Sequence, residues 1–597
     1  MKTSASSTLC CLPPELLTRI AFFAVASDHC GPPRAVAALL LTCRRNYTAL
    51  NFYGNKALWA QVFRLKFDVA APTRRLGARA TLSVSLATES KKRFQALHRI
   101  RMGVIFGPHL LADLWTAFLM MLENDGRNEV QLLDWAELPK FLNALISFNG
   151  SATTLWSRDP TQLSILVWLM WFTSTAGVIC NESPEEAKAT SLFLHPLIEN
   201  ARDFSNFHGP DDRFRVSLPR SSDFRVDSQS PTAFAIFNHT FSPDQRYITH
   251  YGHPMTVAVP PVTSAAFLAF TARQRQCISN ASNVILRDEE EFTAPTYLRL
   301  PTRNEEGTSA HSGSPFDTST SERYDPDWSR LTSCINPIGL GRQHWQMDGA
   351  NAAAPGRWTG VWVGQFLAPY RGILSDPQGI LRVENPQDLA MASSTLCCRL
   401  REYHCLSSEV PVASGEDVGE SDQITNCWLP RGTEPQETKG KNVMDIYDPT
   451  TRRSSRYYSP GPGDDGTYPG IGQKDAYRNQ DAESPSEKHN ANGEVGIESN
   501  EDGRCHRAIR DILVTGSIEQ RQGDNWLDWA VIGRVRLWDG LLVLRRKPPP
   551  NQEHLGNGIF RGYLTASGQI VGRWRNGWAS GEAPQLEGPF VIAKIKD

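Results

Sequence analysis

The chain is predicted to be an α+β multidomain protein, and three features of its 597 residues carry that reading. Apolar residues recur at three- and four-residue steps through roughly the first two hundred positions, the signature of amphipathic helices. Short β-branched and aromatic runs follow, with turn residues between them, as antiparallel strands require. A stretch poor in aliphatic side chains interrupts this second pattern.

The first element starts at Leu12-Pro13-Pro14-Glu15-Leu16-Leu17-Thr18-Arg19-Ile20. Two prolines suit a first helical turn, where a missing N–H costs nothing, and Glu15 suits the positive end of the helix dipole. Leu16, Leu17 and Ile20 share a face. A second helix is predicted from about Pro33, with Val36, Leu39, Leu40, Cys43, Tyr47 and Leu50 in one continuous run. A third starts after Asn55 as its cap, with Leu58, Trp59, Val62 and Phe63 on its apolar side. Three short helices bury little surface by themselves, so the unit must lean on the rest of the chain or on another protein.

The order Leu-Pro-x-Glu-Leu-Leu-x-x-Ile, then a Leu-rich segment ending in Cys43-Arg44-Arg45, then Leu58-Trp59-x-x-Val62-Phe63, resembles the F-box. That family supplies the substrate receptors of Skp–cullin–F-box ubiquitin ligases. The resemblance covers residues 9–67, about a tenth of the chain. Two departures stand out: a loop containing Cys30-Gly31-Pro32-Pro33 separates the first two helices, and Asn46-Tyr47 occupies a place where many members carry Trp. By motif position, the resemblance implies adaptor contact through Leu12, Pro13, Leu16, Leu17, Ile20, Leu39, Leu40, Leu58 and Trp59, some of which must instead support the unit's own packing.

Helical spacing continues over 68–210, a predicted platform. Leu111, Leu114, Trp115, Phe118, Leu119 and Leu122 form one stripe, and Leu138, Phe141, Leu142 and Leu145 another. Ser183 and Glu186 are spaced as a capping box. The run Leu163 to Ile179 is near the short limit for a membrane span, but Asp159-Pro160 opens it as a soluble helix, and a helix apolar all round belongs in a core. The acidic stretch Glu123 to Asp134 has Asn128 where a calcium loop needs Gly and Arg127 at a ligand position, so it reads as a helix connection.

Residues 211–300 read as a mixed β segment, through Ala233–Phe237, Met255–Val259 and Thr296–Leu300, and 301–345 as a loop or linker. Strands at Trp358–Phe366, Ile380–Val383 and Leu396–Leu400 begin a β domain over 346–410. Residues 411–504 are dominated by Gly, Ser, Pro, Asp and Glu; too little apolar area is present to offset chain entropy, so this insert is predicted to be disordered. The β domain resumes over 505–597, with strands at Ile509–Ile518, Ala530–Trp538, Leu541–Arg545, Ile559–Leu564, Ile570–Trp574 and Phe590–Ile595. Asp539-Gly540 is a tight-turn signal and Ser567-Gly568 a second. So many consecutive antiparallel strands favour a barrel, which removes exposed edges. Gly360-Val361-Trp362 also resembles the strand opening of lipocalin-like barrels.

Composition bounds the function. Hydrophobic residues make up 40% and charged ones 21%, as in a soluble protein, and the net charge of −2 argues against a nucleic-acid partner. Twelve scattered cysteines read as reduced thiols of a cytoplasmic or nuclear protein. Pro13, Pro14, Glu15 and Arg19 interrupt any signal-peptide core. Motifs for a serine elbow, a zinc-binding His pair or a phosphate loop are missing. Cys397, Cys398, His404 and Cys405 are too closely adjacent for one tetrahedral zinc, so neither metal nor cofactor is expected.

What remains is aromatic and basic: Trp526 and Trp538 with Arg536, Arg561 and Arg573, residue types that dominate interface hot spots. What the F-box resemblance implies is a non-catalytic receptor that binds a Skp-family adaptor, and through it a cullin–RING ligase, and holds an unknown target on its β domain. A non-ligase F-box scaffold and a small-ligand-binding barrel are the alternatives.

Overall fold

Pro14 opens the first helix, Pro14–Ala26, and Glu15 sits in its first turn. The chain then departs from the predicted single second helix. Helices Arg34–Leu40 and Arg44–Leu50 are separate, because Cys43 takes an extended backbone and its Sγ accepts the Asn46 N–H. The fourth helix, Lys56–Lys66, starts as expected, with Asn55 Oδ1 accepting the Leu58 N–H at 3.0 Å. The N-terminal unit therefore has four helices rather than three.

The computed structural model describes residues 12–26, 30–201, 204–209, 214, 245–282, 320–334, 355–368, 392–406, 409–414, 427–430, 432–438, 442–449, 451–461, 509–522, 525–548, 557–566, 568–577 and 587–595. The platform follows the sequence closely. Helices Ser83–Arg101, Leu110–Leu122, Leu138–Asn149, Pro160–Thr173 and Pro184–Glu199 share one apolar core with the N-terminal unit. Ser183 and Glu186 form the reciprocal capping box. Asp159 caps the Pro160–Thr173 helix, which is buried from Thr161 to Thr173. Among the described residues no helix is long and apolar enough to cross a membrane.

Beyond residue 210 the expectations need correcting. Of the predicted 211–300 strands, Met255–Val259 falls largely in a hairpin of β1 (Gln245–His250) and β2 (His253–Ala258); Ala233–Phe237 and Thr296–Leu300 lie outside the described residues. A helix follows at Val262–Ser282, and its Val262, Ala265, Ala266 and Ala269 are buried in the platform core. Small side chains there allow close approach, and a pattern this Ala-rich has little apolar periodicity to announce it. The predicted linker 301–345 contains the helix Asp325–Ser333, tied to the platform by Arg74 and Arg75 on Asp325 at 2.7 and 2.8 Å.

The β1–β2 turn reaches into the platform and completes a buried ionic cluster. Tyr251 and Gly252 both have positive φ, the requirement of a two-residue hairpin turn. Tyr251 holds that costly conformation because its surroundings grip it. Its N–H donates to Glu89 at 3.0 Å, its hydroxyl donates to Glu123 at 3.1 Å, and Arg93 donates to the same hydroxyl at 3.0 Å. Arg93 also pairs with Glu123 at 2.5 Å and Glu89 at 3.3 Å, while His250 meets Glu123 at 2.7 Å. Two carboxylates thus face one guanidinium and one imidazole, all buried. Burial pushes Glu123 upward, but His250 and Arg93 outweigh it and hold its carboxyl down at about 2. Burial disfavours the charged imidazole, yet Glu123 and Glu89 together raise His250 above its ordinary value.

Eight strands close the barrel: β3 (Gly360–Ala368), β4 (Ala392–Leu406), β8 (Ile509–Gln522), β9 (Asn525–Val535), β10 (Leu541–Lys547), β11 (Asn557–Leu564), β12 (Gln569–Gly577) and β13 (Glu587–Lys594). Each pairs with its antiparallel neighbour, and β3 closes the ring between β13 and β4, as in Trp362↔Lys594 and Val363↔Cys397. Inward positions alternate along the strands. They fill the interior with Trp362, Phe366, Trp529, Phe560, Trp574 and Phe590, among others. Tight coiling around so bulky a filling brings backbones together. A Cβ on Gly572 would stand 1.8 Å from the Arg561 carbonyl oxygen, and one on Gly364 would stand 1.9 Å from that of Val591. Helix Val262–Ser282 covers the outer face at Val571 and Val591, which belong to the platform core.

The turn signals place hairpins correctly but misjudge one loop. The β9–β10 strands are joined by five residues, Arg536–Gly540, with Arg536 N–H donating to Leu541 O at 2.9 Å, because Asp539 is drawn to Arg536 instead of forming a two-residue turn. Gly568, with φ of 77°, closes the β11–β12 turn as expected. The predicted strand Ile380–Val383 lies outside the described residues.

The predicted insert 411–504 is partly built. β5 (Glu434–Thr438), β6 (Val443–Asp448) and β7 (Arg453–Tyr458) form a meander that joins β4 at His404↔Tyr458. Its Met444, Ile446 and Tyr457 pack with Trp428 against the outer faces of β8–β11. Buried Arg534 ties this layer down, pairing with Asp511 at 2.9 Å and donating to the carbonyls of Val412, Ala413 and Trp428. A few well-placed apolar residues in a polar stretch suffice when a barrel wall already exists to receive them. Residues 415–426 and 462–504 lie outside the described residues.

Two outcomes follow. A Gly572→Ala variant is expected to lose at least about 2 kcal/mol of unfolding free energy, read by urea denaturation, because backbone rather than a movable side chain meets the new methyl. The ionic cluster should show opposite pH limits. Glu123, held low, contributes fully above the ordinary 4.5 and loses that contribution as pH falls toward 2. His250, held high, contributes fully below the ordinary 6.5 and loses it as pH rises through its raised value. The stability gap between wild type and Glu123→Gln should therefore narrow in acid, and the gap to His250→Gln should narrow in base; gaps independent of pH would contradict the assignment.

Candidate functional site

The N-terminal helix is apolar on two faces, and among the described residues only one of them is covered. Leu17, Ala21 and Val25 point into the core. Leu16 (47% exposed), Ile20 (41%) and Phe23 (60%) follow one another at four- and three-residue steps on the outer side. Leu41, at the end of the Arg34–Leu40 helix, is 87% exposed, and Tyr47 is exposed on the next helix. Arg45 donates to the Leu12 carbonyl at 3.0 Å, which brings the Arg44–Leu50 helix against the start of the first. Pro13 is exposed there, whereas Leu12, Leu39 and Leu40 are half-buried.

The nine motif-derived residues thus divide. Leu17 and Leu58 are interior and hold the unit together. Trp59 is half-buried, donating through Nε1 to the Leu50 carbonyl at 3.1 Å and tilted against Phe52. Pro13, Leu16 and Ile20 are presented to solvent. Phe23 escaped the motif reading, although its position seven residues after Leu16 marks the same stripe.

The platform holds this surface in place. Asn55 donates to Thr18 Oγ1 at 2.9 Å, fixing the fourth helix to the first. The loop after the first helix docks on the platform through Gly31, whose N–H donates to Gln131 at 2.7 Å. Any Cβ on Gly31 would enter the Trp135 indole, 2.2 Å from Nε1. The loop that departs from the family pattern is therefore an anchor.

The basic and aromatic residues of the barrel have mainly internal roles. Arg536 is fully buried, pairs with Asp539 at 2.6 Å and lies 4.2 Å from the Trp538 ring centroid. Trp538 is half-buried at the barrel mouth and donates to the Phe214 carbonyl at 3.3 Å. Tyr563 also donates to Asp539, at 2.8 Å, so that carboxylate is committed. Arg561 and Arg573 are buried opposite each other on β11 and β12, and Arg573 shares Glu587 with Arg575. Trp526 lies on β9 opposite Arg521. The structure brings Arg536 and Trp538 together and sets Arg561 and Arg573 on a different part of the wall. Among the described residues there is no group of His, Cys, Asp and Glu suited to a metal ion.

Comparison of the chain with protein-family models, with curated proteins and with solved structures gives no match.

Removing Arg536 leaves the Asp539 carboxylate buried with only the neutral Tyr563 hydroxyl and the Leu541 N–H donating to it. Arg536→Ala is expected to cost about 3–5 kcal/mol of unfolding free energy. Unchanged stability in chemical denaturation would contradict an internal role for this ion pair.

Proposed function

We propose that this chain is a substrate receptor of the Skp–cullin–F-box type. The observation that carries the reading is the stripe of Leu16, Ile20 and Phe23, exposed among the described residues, on the helix whose sequence resembles the F-box, with Leu41 and Tyr47 exposed on the two helices that follow. Exposed apolar side chains aligned on one helix face suit association with an apolar partner surface. In this reading a Skp-family adaptor covers the stripe and connects the chain to a cullin–RING ligase. The β domain holds the target, and the platform between them is a rigid spacer. The chain itself performs no bond chemistry; it raises the effective concentration of a target lysine at the conjugating enzyme, in the cytoplasm or nucleus.

A barrel interior filled with tryptophan and phenylalanine weighs against the small-ligand carrier, which needs an empty apolar cavity. A non-ligase scaffold would use the same adaptor surface without the cullin.

The test is co-purification from the native cell. Full-length wild type is expected to recover both adaptor and cullin, and a Leu16→Asp/Ile20→Asp variant to lose both while keeping its thermal transition, since neither side chain is in the core. Substituting Leu17 would confuse the result, because it is 2% exposed and its loss would unfold the unit. Recovery of adaptor without cullin would select the scaffold. Recovery of neither by wild type would overturn the proposal.

A further inference from the structure

The first helices carry a charge that the rest of the chain does not. Residues 12–101 hold 15 Lys and Arg against 4 Asp and Glu, in a chain whose net charge is −2. Of those four carboxylates, Asp68 and Glu89 are buried, Asp28 lies outside the described residues, and Glu15 is exposed. Several of the cations serve internal contacts: Arg74 and Arg75 pair with Asp325, Lys92 and Arg93 with Glu89, and Arg99 with Asp113. Lys56 and Lys91 do not.

Lys56 opens the Lys56–Lys66 helix, and Lys91 projects from the middle of Ser83–Arg101. Both ammonium groups come to the same two rings. Lys56 Nζ lies 3.6 Å from the Phe52 ring centroid and 5.3 Å from that of Tyr53. Lys91 Nζ lies 5.4 and 5.3 Å from the same two centroids and donates to the Tyr53 hydroxyl at 3.3 Å. Phe52 is half-buried against Trp59, and Tyr53 is 74% exposed. Among the described residues neither ammonium has a carboxylate partner. Partial burial lowers Lys56 from its ordinary value, and the Lys91 charge acts in the same direction.

Ring faces attract ammonium groups, but two like charges over one pair of rings repel each other. Lys56 also stands at the positive end of its helix dipole, where a cation is disfavoured. A carboxylate set between the two lysines relieves both effects and accepts charge-assisted hydrogen bonds from each. Further carboxylates on the same chain would meet Arg64 and Arg127, exposed at the other end of this helix, where Arg127 donates to the Arg64 carbonyl. That end is roughly 12 Å along the axis from Lys56, the reach of a few extended residues. Single-stranded nucleic acids are held by bases stacked on open rings, whereas these rings already carry the chain's own lysines, which favours a polypeptide.

We propose that this face docks an acidic segment of a partner protein, one of whose Asp or Glu side chains bridges Lys56 and Lys91. The docking goes beyond the receptor reading above and stands without it.

The probe is fluorescein-labelled hexaglutamate, titrated into the full chain and followed by anisotropy at low and at physiological ionic strength, with hexaglutamine and an all-pyrimidine hexanucleotide as comparators. Hexaglutamate is expected to bind wild type, less tightly as salt rises, and hexaglutamine not to bind. Lys56→Gln/Lys91→Gln should weaken binding at least about tenfold, and Lys56→Arg/Lys91→Arg should keep most of it. Arg34→Gln/Arg44→Gln removes the same charge from two other helices and should change affinity less than about twofold. If the double Lys variant loses its thermal transition, Lys91→Gln alone, at an exposed side chain, carries the test. No binding by wild type, an equal loss in the two Gln pairs, or tighter binding of the hexanucleotide overturns the proposal.

Discussion

The structure depends on one buried ion cluster, in which Arg93 and His250 neutralise Glu89 and Glu123. Its members come from three places in the chain: the Ser83–Arg101 helix, the end of the Leu110–Leu122 helix, and the β1–β2 turn. The Arg93 guanidinium also lies 5.0 and 5.3 Å from the ring centroids of Phe63 and Phe67, at the end of the fourth N-terminal helix. Four groups whose charges cancel can be buried together, whereas any three leave an uncompensated charge in a medium that solvates it poorly. The cluster therefore assembles as a unit and fixes the N-terminal helices, the platform and the hairpin relative to one another.

His250 extends that constraint toward the barrel. Its ring lies 6.0 Å from that of Trp328 on helix Asp325–Ser333. The same helix holds the barrel mouth through Asp327 on Ala566 and Arg330 on Leu564. One face of a nine-residue helix is bound to the platform and another to the barrel. The proposed receptor role would use this stiffness to keep a target lysine at a set distance from the adaptor surface. The proposed adaptor surface, the Leu16–Phe23 stripe, consists of side chains exposed outside the core.

Much of this was legible in advance where local chemistry decides the outcome. The Asn55 and Ser183 caps, the Pro14 start and the alternation along β8 to β13 act over a few residues, and they appear where expected. The failures share another cause. Cys43 breaks a continuous apolar pattern because its Sγ satisfies a backbone N–H, a minor effect among otherwise good helix spacing. The β5–β7 meander lies in a polar stretch that folds only because the outer wall of the barrel receives Met444, Ile446 and Tyr457. The Ala-rich part of Val262–Ser282 carries little periodic signal, and close packing gives it its place.

By itself the sequence determined the α+β class, the helical first third, the antiparallel barrel strands and a motif resembling the F-box, because periodicity and turn chemistry are local. Tertiary structure alone decided which of Leu16 and Leu17 faces solvent, since both fit the same helical stripe until the core selects one. It also decided that Arg536, Arg561 and Arg573 are buried. Charge is a property of the residue, but its exposure and its partners belong to the fold.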